Sequence, residues 1–76
     1  MTPLVLDCRG MLCPRPIIEL AKALPSAPVG SAIEIMADDA AAAVDIPAWC
    51  RMRSQEYVGA AANGDGSTTY TVRRLV

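Results

Sequence analysis

The stretch Cys8-Arg9-Gly10-Met11-Leu12-Cys13-Pro14-Arg15-Pro16 separates two regions of different hydrophobic period, and the fold follows from it. Before it, residues 3–8 alternate with period two and place Leu4, Leu6 and Cys8 on one face, which predicts a β-strand. After it, residues 14–24 place apolar side chains at the i, i+3, i+4 and i+7 spacing of an amphipathic helix. The stretch is therefore predicted to be a strand-to-helix turn.

The middle of the chain repeats this strand-then-helix pattern. Residues 32–37 alternate again, which predicts a second strand. Further along, the segment Asp45-Ile46-Pro47 predicts the start of a second helix. Asp45 is the expected N-cap, and Pro47 lies in the first turn, where its missing N–H does little harm.

Two strands complete the predicted fold. Residues 56–62 and 68–74 are joined by Asn63-Gly64-Asp65-Gly66, which is a strong hairpin signal. The order βαβαββ predicts a two-layer α/β (α+β) sandwich, in which a four-stranded mixed sheet carries both helices on one face. We expect residues 1–76 to form a single domain.

Composition excludes several classes of function. The chain has 76 residues, a formal net charge of −1 and no histidine. A chain this short buries only about 60% of its unfolded surface, which argues against a deep substrate pocket. The missing histidine excludes Cys–His and Ser–His nucleophile–base pairs. Near-neutral charge argues against direct nucleic-acid binding.

Location was predicted from the absence of targeting signals. Residues 1–4 show no basic segment ahead of an apolar run, so we expect no signal peptide. No stretch approaches the length of apolar sequence that a membrane span requires. We therefore expect a cytoplasmic protein, in a reducing environment that keeps cysteines as reactive or packed thiols. We also expect it to be a monomer.

The three cysteines carry the chemistry. Cys8, Cys13 and Cys50 fall short of the four ligands of a structural zinc site, so we expect no metal and no bound cofactor. Cys13 is predicted to be the N-cap of the first helix, with Pro14 at the first helical position and Pro16 stiffening the turn. The positive end of the helix should lower the pKa of this thiol and favour the anion of a persulfide. Cys13 is therefore predicted to be an exposed nucleophile.

These residues resemble a known family. Leu6-Asp7-Cys8-Arg9-Gly10 followed by Cys13-Pro14-Arg15-Pro16 is similar to the N-terminal signature of the TusA-like (SirA-like) sulfur-carrier family. The resemblance continues through Ala37-Asp38-Asp39, Asp45-Ile46-Pro47 and Trp49-Cys50. It implies a two-layer sandwich in which Cys13 carries sulfane sulfur as a persulfide.

The resemblance also implies partner proteins. Sulfur donors of the family are cysteine desulfurases or rhodaneses, and acceptors are DsrE-type proteins or other sulfurtransferases. The sulfur serves tRNA thiolation, molybdenum-cofactor assembly or sulfur metabolism. Members that act in tRNA thiolation carry a basic cluster late in the first helix, where this chain has only Lys22.

Three hypotheses for function follow. The first is a sulfur carrier that works on Cys13 and resembles a sulfurtransferase, rather than a self-sufficient enzyme. The second is a thiol–disulfide redox protein that uses Cys8 and Cys13. The third is a non-enzymatic regulatory interaction module in which Cys13 is only structural. An unreactive Cys13 thiol would identify the third.

The other two cysteines and a pair of aspartates have simpler interpretations. Cys8 shares a face with apolar strand residues, so it either packs in the core or serves as a resolving thiol for Cys13. Cys50 lies on the apolar face of the second helix, and we expect it in the core. Asp38 and Asp39 are expected to form or cap a turn.

Residues flanking the thiol have open roles. Arg9 and Arg15 are either solvated charges or groups that hold a persulfide or dock a partner. Gly10 is expected to supply a backbone conformation that other residues resist. Met11 and Leu12 belong either to the core or to an apolar docking patch.

Overall fold

The computed structural model describes residues 3–76 and confirms the predicted order βαβαββ. Residues 1 and 2, part of the segment in which we expect no signal peptide, lie outside the described residues. Within residues 3–76, no helix has the length and apolar character needed to cross a membrane. The elements are β1 (Leu4–Asp7), α1 (Arg15–Ala23), a 3₁₀ turn (Leu24–Ser26), β2 (Ala32–Ala37), α2 (Ala42–Arg53), β3 (Glu56–Ala62) and β4 (Thr68–Arg73).

The four strands form one mixed sheet in the order β1-β2-β4-β3. β1 runs parallel to β2, with Leu6 opposite Ile35. β4 runs antiparallel to both neighbours and places Tyr70 opposite Ile35. Because directly paired residues point to the same side, the apolar side chains of the sheet collect on one face.

Both helices cover that face, which confirms the predicted two-layer sandwich. Leu20 of α1 and Ile46 of α2 are fully buried against Ile33 and Ile35 of β2. Burial of apolar surface supplies the main favourable term in folding. The buried apolar residues are Cys8, Leu20, Ala27, Ile33, Ile35, Ala37, Ala42, Ile46, Trp49, Cys50, Tyr70 and Val72.

The start of α1 differs from the prediction by one position. Pro14 is the N-cap, and Cys13 therefore precedes the cap rather than forming it. The reason is the backbone of Pro14, whose ψ of 19° lies outside the helical range. Pro16 still falls in the first turn, where no N–H is needed. At the other end, the chain passes from α1 directly into the 3₁₀ turn.

The start of α2 was predicted wrongly, and the error matters for the site. The helix begins at Ala42, so Asp45 lies in its first turn rather than capping it. The N-cap is Ala41, which makes no side-chain capping hydrogen bond, and Oδ1 of Asp39 accepts the N–H of Ala41 at 3.1 Å just before the helix. Pro47 is consequently inside the helix. Freed from capping, the Asp45 carboxylate is available for another contact.

The β3–β4 hairpin confirms the predicted turn, although β4 ends at Arg73, one residue earlier than expected. The N–H of Asn63 donates to the carbonyl oxygen of Ser67 at 3.0 Å and closes the loop. Gly64 and Gly66 adopt φ values of 83° and 90°, which side-chain-bearing residues rarely adopt. The hairpin places its tip at the same end of the sheet as the β2–α2 turn, since Thr68 pairs with Ala37.

Candidate functional site

Cys13 lies exposed in the turn between β1 and α1. Gly10 reverses the chain with φ of 81°, which confirms its predicted conformational role. Short backbone hydrogen bonds tighten the turn: the N–H of Met11 donates to Cys8 at 3.2 Å, and the N–H of Arg15 donates to Leu12 at 2.9 Å. The turn therefore presents the thiol on a folded loop at one end of the sheet.

Side chains of the β2–α2 turn accept hydrogen bonds from the backbone of this loop. The N–H of Gly10 donates to both carboxylate oxygens of Asp38 at 3.0 Å. The N–H of Cys13 donates to Oδ2 of Asp39 at 2.7 Å. Hydrogen bonds from the Cys13 and Ala41 backbones lower the pKa of Asp39 below its usual range. The two aspartates thus do more than the turn and cap roles predicted for them.

The Cys13 thiol contacts a carboxylate that the sequence did not assign to the site. Its Sγ donates a hydrogen bond to Oδ2 of Asp45. This hydrogen bond is the largest cause that raises the pKa of Cys13, followed by partial desolvation and the negative charges of Asp45 and Asp39. The predicted lowering of this pKa is wrong, because the thiol donates to the Asp45 carboxylate and lies near a second carboxylate, that of Asp39.

The sequence contained only a weak signal for this contact. Asp45 lies 32 positions from Cys13, and its position in Asp45-Ile46-Pro47 suggested a cap. A cap prediction placed the helix start four residues too late and assigned the carboxylate of Asp45 to its own backbone. Only the fold brings the two side chains together.

The two arginines near the thiol in sequence have different surroundings. Arg9 pairs with Asp7 at 2.8 Å and with Asp65 of the hairpin at 3.4 Å. Its side-chain and backbone hydrogen bonds lower the pKa of Asp7 to about 2. Arg15 is exposed on the first turn of α1. In this structure Arg9 joins the loop to the hairpin, while Arg15 remains available to a partner.

The other cysteines belong to the core. Cys8 and Cys50 are each 1% exposed, and burial raises the pKa of both thiols. Cys8 also extends the strand pairing, because its N–H donates to Met36 at 2.8 Å. Core packing of Cys50 is confirmed. All three cysteines are free, and the burial of Cys8 disfavours its use as a resolving thiol.

The surface beside Cys13 is apolar. Met11 packs against the core, which was one of the two predicted alternatives. Leu12 is 74% exposed, as the other alternative, an apolar docking patch, requires. A groove of about 220 Å³ opens between the two helices next to the thiol. Its lining residues are Pro14, Ile17, Asp45, Ala48, Trp49 and Met52. A cysteine presented by another protein can therefore reach the sulfur without opening the fold.

Comparison with known proteins finds a matching family and several relatives of this chain. The family described as "Sulfurtransferase TusA" matches residues 4–74. A protein of Archaeoglobus fulgidus named "Putative sulfur carrier protein" is 40% identical over 67 residues, which cover 88% of this chain and 87% of that protein. "Putative sulfur carrier protein YrkF" of Bacillus subtilis is 36% identical over 62 residues, or 82% of this chain. The match spans only 34% of the length of YrkF.

A solved structure shows the same fold. The crystal structure of a SirA-like protein from Desulfitobacterium hafniense superposes with a TM-score of 0.83. The match covers 96% of this chain and 99% of the other, at 18% sequence identity. At that identity the likeness establishes the α+β sandwich alone.

Proposed function

This chain belongs to the sulfurtransferase TusA family, and from that premise we propose that Cys13 carries sulfur as a persulfide between a donor and an acceptor protein. One observation carries the proposal. Among the three cysteines, Cys13 alone is exposed, while Cys8 and Cys50 are buried. Persulfide exchange requires a sulfur that another protein's cysteine can approach in line.

The loading step moves one sulfur atom without net oxidation. The Cys13 thiolate attacks the outer sulfur of a donor persulfide, so a new S–S bond forms on Cys13 and the S–S bond of the donor breaks. The donor cysteine leaves as a thiolate and takes up a proton equivalent to the one that Cys13 lost. Cys13 then holds the sulfane sulfur as Cys13–S–SH.

The donating step repeats this chemistry with a new nucleophile. A thiolate of the acceptor attacks the outer sulfur, the S–S bond to Cys13 breaks, and Cys13 takes up a proton to become the thiol again. We propose cysteine desulfurases or rhodaneses as donors, and DsrE-type proteins or other sulfurtransferases as acceptors. Each partner supplies the acid–base groups that this histidine-free chain lacks.

The proposal includes a location and an assembly state. Free thiols such as that of Cys13 persist in a reducing compartment, so we place the relay in the cytoplasm. We propose that the carrier works as a monomer, since the groove and the thiol have to meet different partners in turn. No cofactor other than the covalently held sulfur is required.

Mass spectrometry tests the carrier role directly. Incubation with a cysteine desulfurase and cysteine should add the mass of one sulfur atom to the intact chain. Cys13→Ser should abolish this gain, whereas Cys50→Ser should retain it, provided that circular dichroism shows the variant folded. A gain of sulfur that persists in Cys13→Ser would overturn the assignment of Cys13 as the carrier.

A further inference from the structure

The contact between Cys13 and Asp45 is unusual for a nucleophile. A carboxylate that accepts a hydrogen bond from a thiol stabilises the neutral S–H form and opposes the thiolate. The Cys13 Sγ makes this contact with Oδ2 of Asp45. Cysteines that act mainly as nucleophiles instead lie beside positive charges. The environment of this sulfur therefore favours a proton on it.

The charges around the thiol support the same conclusion. Asp45 approaches from α2, and Asp39 approaches from the β2–α2 turn. The carboxylate of Asp39 is occupied by the N–H groups of Cys13 and Ala41. On the β1 side, Arg9 is paired with Asp7 and Asp65, while Arg15 on α1 is exposed. Asp45 is thus the carboxylate in direct contact with the sulfur.

Building on the proposed function, we propose that in the loaded chain the outer S–H replaces the Cys13 S–H as the hydrogen-bond donor to Asp45, which increases the fraction of the cargo present as a neutral, electrophilic persulfide rather than a nucleophilic perthiolate. A persulfide is more acidic than a thiol, so without such a group it is largely anionic at neutral pH. The anion repels the thiolate of an acceptor. The neutral form is open to attack at its outer sulfur.

With this proton on the outer sulfur, the donating step balances in atoms and in charge. The acceptor thiolate attacks the outer sulfur, and the S–S bond to Cys13 breaks. The outer sulfur keeps its proton and becomes the terminal S–H of the acceptor persulfide. Cys13 takes up a proton from solvent as the S–S bond breaks, so that it leaves as the neutral thiol, which again donates to Asp45. Loading has the opposite requirement, because Cys13 must then attack as a thiolate.

Asp45 should therefore slow loading and promote donation. Asp45→Asn keeps the shape of the side chain but removes its charge. Alkylation of the Cys13 thiol by iodoacetamide at pH 7 reports the availability of the thiolate. We expect it to be about two- to fivefold faster in Asp45→Asn, the range for an exposed charged contact. The two alkylation rates should converge at high pH, where both thiols are ionised.

Donation is measured separately, on chains loaded chemically with polysulfide. Cyanide attacks the outer sulfur and releases thiocyanate, whose formation can be followed. At pH 7 we expect Asp45→Asn to release thiocyanate about two- to fivefold more slowly than the unaltered chain. At lower pH, where both persulfides are protonated, the rates should converge. Glu56→Gln, which removes one negative charge from β3, should leave both reactions unchanged.

Only opposite changes in the two rates support the role of Asp45. Rates that rise together, fall together or stay unchanged would overturn it. The relay itself is judged by a different result, because chemical loading does not depend on a donor protein. If a desulfurase adds no sulfur to the unaltered chain, the proposed function fails, while the alkylation and thiocyanate rates still decide the role of Asp45.

Discussion

The backbone N–H of Cys13 donates to Oδ2 of Asp39 at 2.7 Å, across 26 positions of sequence. The other oxygen of the same carboxylate, Oδ1, accepts the N–H of Ala41 at 3.1 Å, immediately before α2. One side chain therefore joins the loop that bears the thiol to the start of a helix. The position of the sulfur depends on both ends of this connection.

Replacing Asp39 should loosen both ends together. In Asp39→Ala, we expect amide hydrogen exchange at Cys13 and Ala41 to become several-fold faster, because both N–H groups lose their acceptor. Exchange measured by NMR checks this. The control is Asp38→Ala, which should speed exchange at Gly10 and leave Cys13 unchanged. Unaltered protection of Cys13 in Asp39→Ala would contradict the structure.

The Arg9–Asp7 pair makes a prediction about pH. Hydrogen bonds from Arg9 lower the pKa of Asp7 from 3.8 to about 2. Because the folded pKa lies below the unfolded one, the pair contributes to stability above about pH 4 and loses that contribution as the pH falls toward 2. NMR titration of Asp7 should show the low midpoint, and Arg9→Gln should return it toward the ordinary value. An unchanged midpoint in Arg9→Gln would show that Arg9 is not the cause.

The core should depend strongly on Leu20. This side chain is 0% exposed, whereas Ile18 on the same helix is 46% exposed. Leu20→Ala should cost about 2–5 kcal/mol of unfolding free energy. Ile18→Ala, the matched control, should cost less than about 1 kcal/mol. Urea denaturation distinguishes the two, and equal losses would mean that α1 buries a different face.

Gly10 should be sensitive for reasons of backbone alone. Its φ is 81°, and no atom lies within 4 Å of the place a Cβ would occupy. Gly10→Ala should therefore cost about 1–2 kcal/mol from the left-handed conformation, without a steric clash. Gly10→Asn should cost less, because asparagine visits this region more readily. Thermal unfolding of both variants tests the ranking, and a larger loss for asparagine would argue for crowding instead.

The burial of two cysteines predicts a thiol count. One thiol, that of Cys13, should react rapidly with Ellman's reagent in the native chain. Cys8 and Cys50, each 1% exposed, should react only as fast as the fold opens. All three should react in guanidinium chloride. A second rapid thiol in the native chain would favour the redox hypothesis, in which Cys8 resolves Cys13.

The strands and helices were largely predictable from local pattern. The bounds of β2 (Ala32–Ala37) and β3 (Glu56–Ala62) coincide with the predicted residues 32–37 and 56–62. β2 alternates between buried and half-buried residues, so its hydrophobic period predicts it directly. No residue of β3 is buried, and the hairpin signal that follows this strand helps to predict it. α2 begins in the alanine run of residues 40–43, which has no such period. Oδ1 of Asp39 accepts the N–H of Ala41 just before this start, and that contact depends on the geometry of the turn rather than on a sequence pattern.

Only part of the site could be predicted from the sequence, because one of its contacts joins residues that lie far apart in the chain. Paired prolines and the family signature identified Cys13 in the sequence, and the structure exposes it. The direction of its pKa shift depends on Asp45, 32 positions away. A contact over that distance leaves no periodic trace in the sequence. Reasoning from the adjacent helix alone therefore gave the wrong sign.

The loop that bears Cys13 lies far along the chain from the carboxylates that accept its hydrogen bonds, and this separation has a consequence during protein synthesis. The carboxylates that bind Gly10 and Cys13 come 28, 26 and 32 residues later. A nascent chain or a truncated fragment that ends before residue 38 has the cysteine but none of these groups. Its thiol would behave like that of an unstructured peptide. The carboxylates that restrain the Cys13 thiol are therefore present only after translation has reached α2. The reactivity of this one thiol then reports whether the fold is complete.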